Sequence, residues 1–240
     1  MRNFMKAQIL TERFFLGISG LGLVLSLVVF ATPVQATPVL DFNIAPPTPG
    51  TISYGGGSNP LVGTGIEVDT ITGLGTPANN NVTVTCVSCT LTFTTGSTTG
   101  PLTWSGGTIT LTGGVDLNGG GIGLGDIPTG TTLLTGTFQT ASVVPFPGTG
   151  FNVAISGFTD VKDPTLTGFY GLDPSIPFYS GNFNISFNTA SPVTAGNPFT
   201  STQVLSGDIT NSPVPEPGSL LLLGSGLAGF GAWRLKRSKK

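Results

Sequence analysis

Asn182-Phe183-Asn184-Ile185-Ser186-Phe187-Asn188 decides the fold class of this 240-residue chain. Three large apolar side chains take every second position, and amides or a hydroxyl fill the gaps. Period two marks a strand with one face on a core and one in water. Phe151, Val153 and Ile155 repeat the pattern against Asn152, Ala154 and Ser156. Ile66 and Val68 alternate with Glu67 and Asp69, and Ile109 and Leu111 alternate with threonines. Further strands are expected over 133–138 and near Ile52, Val143 and Val204. Helix formers are scarce: residues 37–213 hold no Met or Arg, one Lys and six Ala. Eight to ten short strands with Gly, Pro and Asn turns predict an all-β body, an antiparallel sandwich or jelly roll. A solenoid is disfavoured, because no fixed repeat of residue identity runs through the chain.

The two ends read differently. Arg2, Lys6 and Arg13 precede an apolar stretch from Phe14 to Phe30, and Val34-Gln35-Ala36 fits small-x-small cleavage. Residues 1–36 are therefore expected to be a signal peptide cut between Ala36 and Thr37, with an uncleaved anchor as the competing reading. Residues 37–213 form the exported domain. At the other end, Pro215-Glu216-Pro217 leads into an uncharged run, 219–233, closed by Arg234, Lys236, Arg237, Lys239 and Lys240. At about 1.5 Å per residue this run falls just short of a ~30 Å hydrocarbon core. Bilayer thinning and snorkelling of the first basic side chains make up the difference, so a single transmembrane helix is expected. The basic tail stays cytoplasmic by the positive-inside rule. Gly224-Ser225-Gly226-Leu227-Ala228-Gly229 spells a dinucleotide fingerprint, but without a βαβ unit it reads as small residues in a membrane helix.

This motif, helix and basic tail over 214–240 resemble the PEP-CTERM sorting signal of bacterial envelope proteins. The resemblance implies a protein that waits in the inner membrane with a periplasmic body. An exosortase-type enzyme then processes it, and it passes to the cell surface or extracellular matrix. It also implies an association with exopolysaccharide production. The segments at 49–54, 133–138 and 204–208 look like other β-rich PEP-CTERM proteins, whose activities are mostly unassigned.

The charge of −2 conceals an asymmetry: residues 37–213 carry nine acids against one base, Lys162. An acidic surface repels phosphate backbones, which sets nucleic acid aside and favours cations or neutral partners. The absence of histidine excludes Ser-His-Asp and Cys-His catalysis, and Glu67 is the lone glutamate available to a glycosidase pair. The body is therefore expected not to be an enzyme.

Cys86 and Cys89 make a CxxC, which reads as a redox site, half a zinc site or a disulfide. Strand-like flanks and the lack of other soft ligands favour a disulfide. The apolar phase shifts from Val82 and Val84 to Leu91 and Phe93, so a tight turn or bulge is expected at 86–89. A hairpin folded at Val87-Ser88 would pair Val84 with Leu91. Asp160 and Asp163, with Asp173 beyond, read first as a solvated turn that Lys162 neutralises. A calcium site with oxygen ligands is the sharper alternative. The loop from Asp116 to Asp126 is a second calcium candidate, without the spacing of a known calcium repeat.

Two functions follow. One is a non-enzymatic surface or matrix protein whose Thr, Ser and Asn side chains meet polysaccharide. The other is a lectin-type carbohydrate or calcium module using an aspartate loop beside Tyr170, Tyr179 or Trp104. A shallow aromatic platform would favour the second, and aromatics dispersed in the core the first.

Overall fold

Phe183, Ile185 and Phe187 are buried while Asn182 and Asn184 are exposed, and the same in-out rule runs through most of the chain. The computed structural model describes residues 39–145, 150–173, 176, 179–213 and 226. The barrel body, Ala36–Val214, is the first of two units into which the chain divides. It is described below. The signal segment with its Ala36–Thr37 junction, the Pro215-Glu216-Pro217 motif, the run at 219–233 and the basic tail lie outside the described residues, Gly226 excepted. Among the described residues no helix is long and apolar enough to cross a membrane.

The strands are β1 (Leu40–Ile44), β2 (Thr51–Tyr54), β3 (Leu61–Glu67), β4 (Thr70–Gly73), β5 (Thr83–Thr95), β6 (Thr98–Gly100), β7 (Thr103–Asp116), β8 (Ile127–Pro145), β9 (Gly150–Lys162), β10 (Tyr179–Thr189) and β11 (Phe199–Pro213). A six-residue helix, α1 (Pro164–Phe169), joins β9 to β10. All pairings are antiparallel. β5, β7, β8, β9, β10 and β11 each pair with the next. β1 and β2 are successive pieces of one strand along β11. Leu40 lies opposite Asn211, Thr48 bridges to Val204, and Tyr54 lies opposite Phe199. A cis Pro46–Pro47 bond falls at the interruption, where proline cannot donate to a ladder. β3 and β4 form a second broken strand, pairing with β2 and β1 on one side and with β5 on the other. The sheet therefore closes on itself as an eight-stranded up-and-down barrel, with β6 appended to β7.

The expected sandwich or jelly roll is corrected to a barrel. Alternation fixes which face of a strand is buried, and both architectures bury one face. What distinguishes them is the pairing of the first strand with the last, a long-range pairing without a local sequence signal.

Side chains fill the interior. At one pole Trp104, Tyr54, Phe199, Phe187 and Phe151 form a chain of packed rings, with centroids 5.1 to 5.8 Å apart. The opposite pole lies under α1, which contributes Leu166, followed by Tyr170 and Leu172. Pro164 begins the helix, and the Asp163 carboxylate caps it by accepting from the Thr165 and Leu166 N–H groups at 2.8 and 3.1 Å. The outer wall carries rows of threonines set by the register. Thr94, Thr108, Thr137 and Thr159 lie abreast on β5, β7, β8 and β9, with Thr92, Thr110 and Thr135 in the adjacent row. Such a surface faces water rather than lipid, since a membrane barrel shows an apolar band outward.

Tyr170 links this pole to the barrel rim. Its hydroxyl donates to the Ile71 and Val82 carbonyls at 2.9 and 3.2 Å, and Gly73 lets the ring approach, because a Cβ there would lie 2.6 Å from Cδ1. Burial raises the Tyr170 pKa from 10.0 to about 12. The unfolded chain loses this proton near pH 10 while the folded one retains it. The Tyr170 contribution is thus complete below pH 10 and is lost as the pH rises toward 12. Denaturant unfolding at pH 9, 10.5 and 12 should show this alkaline decline, and Tyr170→Phe should make it shallower.

Candidate functional site

The chain places Asp160, Val161 and Lys162 at the end of β9 with the usual pattern reversed: Val161 is exposed while Asp160 and Lys162 face the interior. The reading of this segment as a solvated turn is corrected. An isolated buried charge would be very costly, but two opposite charges two residues apart on one strand face can satisfy each other. Lys162 Nζ donates to Asp160 Oδ2 at 2.6 Å, with both side chains fully buried. The ammonium also lies 4.0 Å from the centroid of the Tyr179 ring. From β11, Asn211 Nδ2 donates to Asp160 Oδ1 at 3.0 Å. This reach crosses β10 at Gly181, where a Cβ would lie 2.6 Å from Asn211 Nδ2. A side chain at Gly181 would therefore push the amide away from the carboxylate.

Burial dominates the electrostatics of the cluster. It raises the Asp160 pKa despite the adjacent ammonium, and it lowers that of Lys162 from 10.5 to about 8 despite the adjacent carboxylate. Among the described residues the Tyr179 hydroxyl, also held in its protonated form by burial, has no hydrogen-bond partner, and neither has Asn211 Oδ1. A cleft of ≈ 180 Å³ opens beside Lys162 and Tyr179, with Thr167 and Asp173 on its walls. Chemically, the arrangement is an amine, a carboxyl group and a primary amide gathered out of water.

The three aspartates considered for calcium are not brought together as ligands. Asp160 serves Lys162 and Asn211, Asp163 caps α1, and Asp173 lines the cleft. Among the described residues no group of three His, Cys, Asp or Glu side chains is placed to hold a metal ion. The second loop spends its carboxylates on its own backbone. Asp116 accepts from the Gly119 and Gly121 N–H groups, each at 2.7 Å, and Asp126 accepts from Leu117 and Gly123, each at 2.8 Å. Those amide donors, Gly121 foremost, lower the Asp116 pKa.

Cys86 and Cys89 are joined as a disulfide, with Cα atoms 5.6 Å apart. The bridge is not at a hairpin. β5 runs through it, and the phase shift is absorbed by a bulge, with Val87 and Ser88 standing between two buried cysteines. Ser88 has φ of 53°, and Gly113 on β7 leaves room for the bulge, since a Cβ there would lie 2.6 Å from Cys89 Cα. The closed loop is only a few residues long, so replacing both cysteines with serine should cost about 2 kcal/mol or less. Unfolding midpoints with and without reductant measure this, and a larger loss would mean that the bridge fixes more than its own loop.

The three aromatics suggested for a sugar platform are in the interior: Trp104 and Tyr170 are 0 % exposed and Tyr179 is 2 % exposed. Asn211 and Gly181 were missed in the sequence. The one local signal was a glycine within the alternating run that begins at Tyr179.

Searches of curated proteins and of solved structures each found no match to this chain. Residues 213–237, which begin at the last residue of β11, match the family model described as the PEP-CTERM protein-sorting motif. The chain thus carries the sorting signal of exported proteins that are held in the membrane for exosortase-type processing.

Proposed function

We propose that this is a non-enzymatic structural protein of the cell surface or extracellular matrix, released into a polysaccharide layer after its tail is processed. The sorting motif that follows directly on the last barrel strand carries the reading. Two features of the wall support the polysaccharide part. Rows of exposed threonines offer uncharged donors and acceptors to sugar hydroxyls. An open groove of ≈ 400 Å³ along β1, β10 and β11 adds Asn43, Asn184, Ser206 and Asp208. The burial of Trp104, Tyr170 and Tyr179 favours this role over a lectin-type module, which would need an exposed ring to stack on a sugar.

The test begins with protein from its native cells, fractionation of the envelope and peptide mapping of the C-terminus. A chain ending near the Pro215-Glu216-Pro217 motif, recovered with extracellular polysaccharide, is expected. A chain ending at Lys240 and confined to the inner membrane would overturn the proposal.

A further inference from the structure

The buried cluster holds three groups whose combination has a specific reactivity. A lysine amine and a primary amide hydrogen-bond to the two oxygens of one carboxyl group, at 2.6 and 3.0 Å, inside a barrel that excludes water. We infer that Lys162 and Asn211 become joined by an intramolecular isopeptide bond, formed between Lys162 Nζ and Asn211 Cγ with Asp160 as the proton carrier.

The step balances without any outside reagent. The Lys162 ammonium gives a proton to Asp160, and the amine lone pair attacks the Asn211 carbonyl carbon. In the tetrahedral intermediate Nζ carries the surplus protons. Asp160, already bonded to both nitrogens, relays one to Nδ2, the C–Nδ2 bond breaks, and ammonia leaves. One ammonium, one carboxylate and one primary amide become one secondary amide, one ammonia and one protonated Asp160 carboxyl group, with no change of oxidation state. The cleft beside Lys162 and Tyr179 gives the ammonia an exit.

Four features support the step. Its reactants are side chains of a folded barrel, so the encounter is already intramolecular. Desolvation favours the neutral amine over the ammonium, the form that attacks, and favours the protonated carboxyl over the carboxylate. The relaying group touches both the nitrogen that loses a proton and the nitrogen that gains one. Gly181 clears the path across β10 for the Asn211 side chain.

The sequence supplies a sharp assay. Lys162 is the only Lys or Arg between residues 37 and 213, so it is the only trypsin site in the body. The full-length protein is purified, reduced, denatured and digested beside its Lys162→Arg variant, which keeps the cleavage site but cannot form this bond. The wild type is expected to resist cutting after residue 162, with an undigested mass short by one ammonia. The Lys162→Arg, Asp160→Asn and Asn211→Ala variants should all be cut there at full mass. Wild-type protein cut as readily as Lys162→Arg would overturn the inference. So would resistance without the loss of ammonia, which would indicate another lysine modification. The wild-type digest decides the matter even if a variant fails to fold.

Discussion

Replacing Asp160 with alanine should lower the unfolding free energy by about 3–5 kcal/mol at neutral pH, because it leaves the Lys162 charge buried without an ionic partner. The Tyr179 ring at 4.0 Å would remain, and a ring face compensates only part of a lost carboxylate. Asn211 Nδ2 would lose its acceptor as well. The deficit has a definite pH dependence. The folded-state pKa of Lys162 is already lowered to about 8, against 10.5 for the free side chain. Removing the carboxylate lowers it further. Wherever the unfolded chain holds this proton and the folded one does not, stability rises with pH. Above pH 8 both proteins gain stability in parallel. The Asp160→Ala deficit should therefore shrink only as the pH rises from the lowered pKa of the variant toward 8 and stay level above it. Urea unfolding at pH 6, 7 and 9 would reveal this. A small deficit, flat in pH, would mean that the ammonium had found water. Lys162→Met with Asp160→Leu adds a second readout. If the cluster is only an ion pair, the double variant recovers most of the loss. If a covalent bond joins β9 to β11, recovery falls well short, because the apolar pair cannot replace it.

Trp104→Ala should cost a similar amount, about 3–5 kcal/mol. Trp104 is fully buried, its Nε1 donates to the Asn59 carbonyl at 3.2 Å, and its ring meets Tyr54 edge to face at 5.1 Å. Truncation would open a cavity at the aromatic pole and strip the Asn59 carbonyl of its donor. Trp104→Phe should cost less, since it keeps most of the volume. Chemical unfolding orders the two variants, and under the proposed matrix role retention on native polysaccharide separates stability from recognition. Loss of retention should track loss of folding. A folded Trp104→Ala protein that no longer bound polysaccharide would restore the sugar-platform reading.

Strand positions were legible in the sequence wherever large apolar residues alternated with polar ones. Residues 151–155 and 182–188 needed nothing else. The phase shift around Cys86 and Cys89 was legible too, as an irregularity, but its form was not. A bulge and a turn displace the apolar phase alike, and only the partner strand tells them apart. Val161 was the most misleading residue. An exposed valine between two inward charges reads as a turn in any scheme that puts apolar residues inside, because the compensation lies between side chains rather than in either one. Asn211 was illegible for a related reason. It lies 51 positions from Asp160, on a strand that reaches β9 only across β10. Barrel closure, through Leu40 opposite Asn211, is equally non-local.

That closure also sets how the body responds to tension. β11 is held on both flanks, by β10 and by β1, and the chain leaves it at Pro213 for the sorting tail. A pull applied at Pro213 along the axis of β11 acts on the end of that strand. It loads both hydrogen-bond ladders in shear at once instead of peeling them one rung at a time. Asn211 sits two residues before the end of that strand. A bond from Asn211 to Lys162 would pass the force into β9 before it reached the ladders, making the exit of the tail the strongest seam in the barrel.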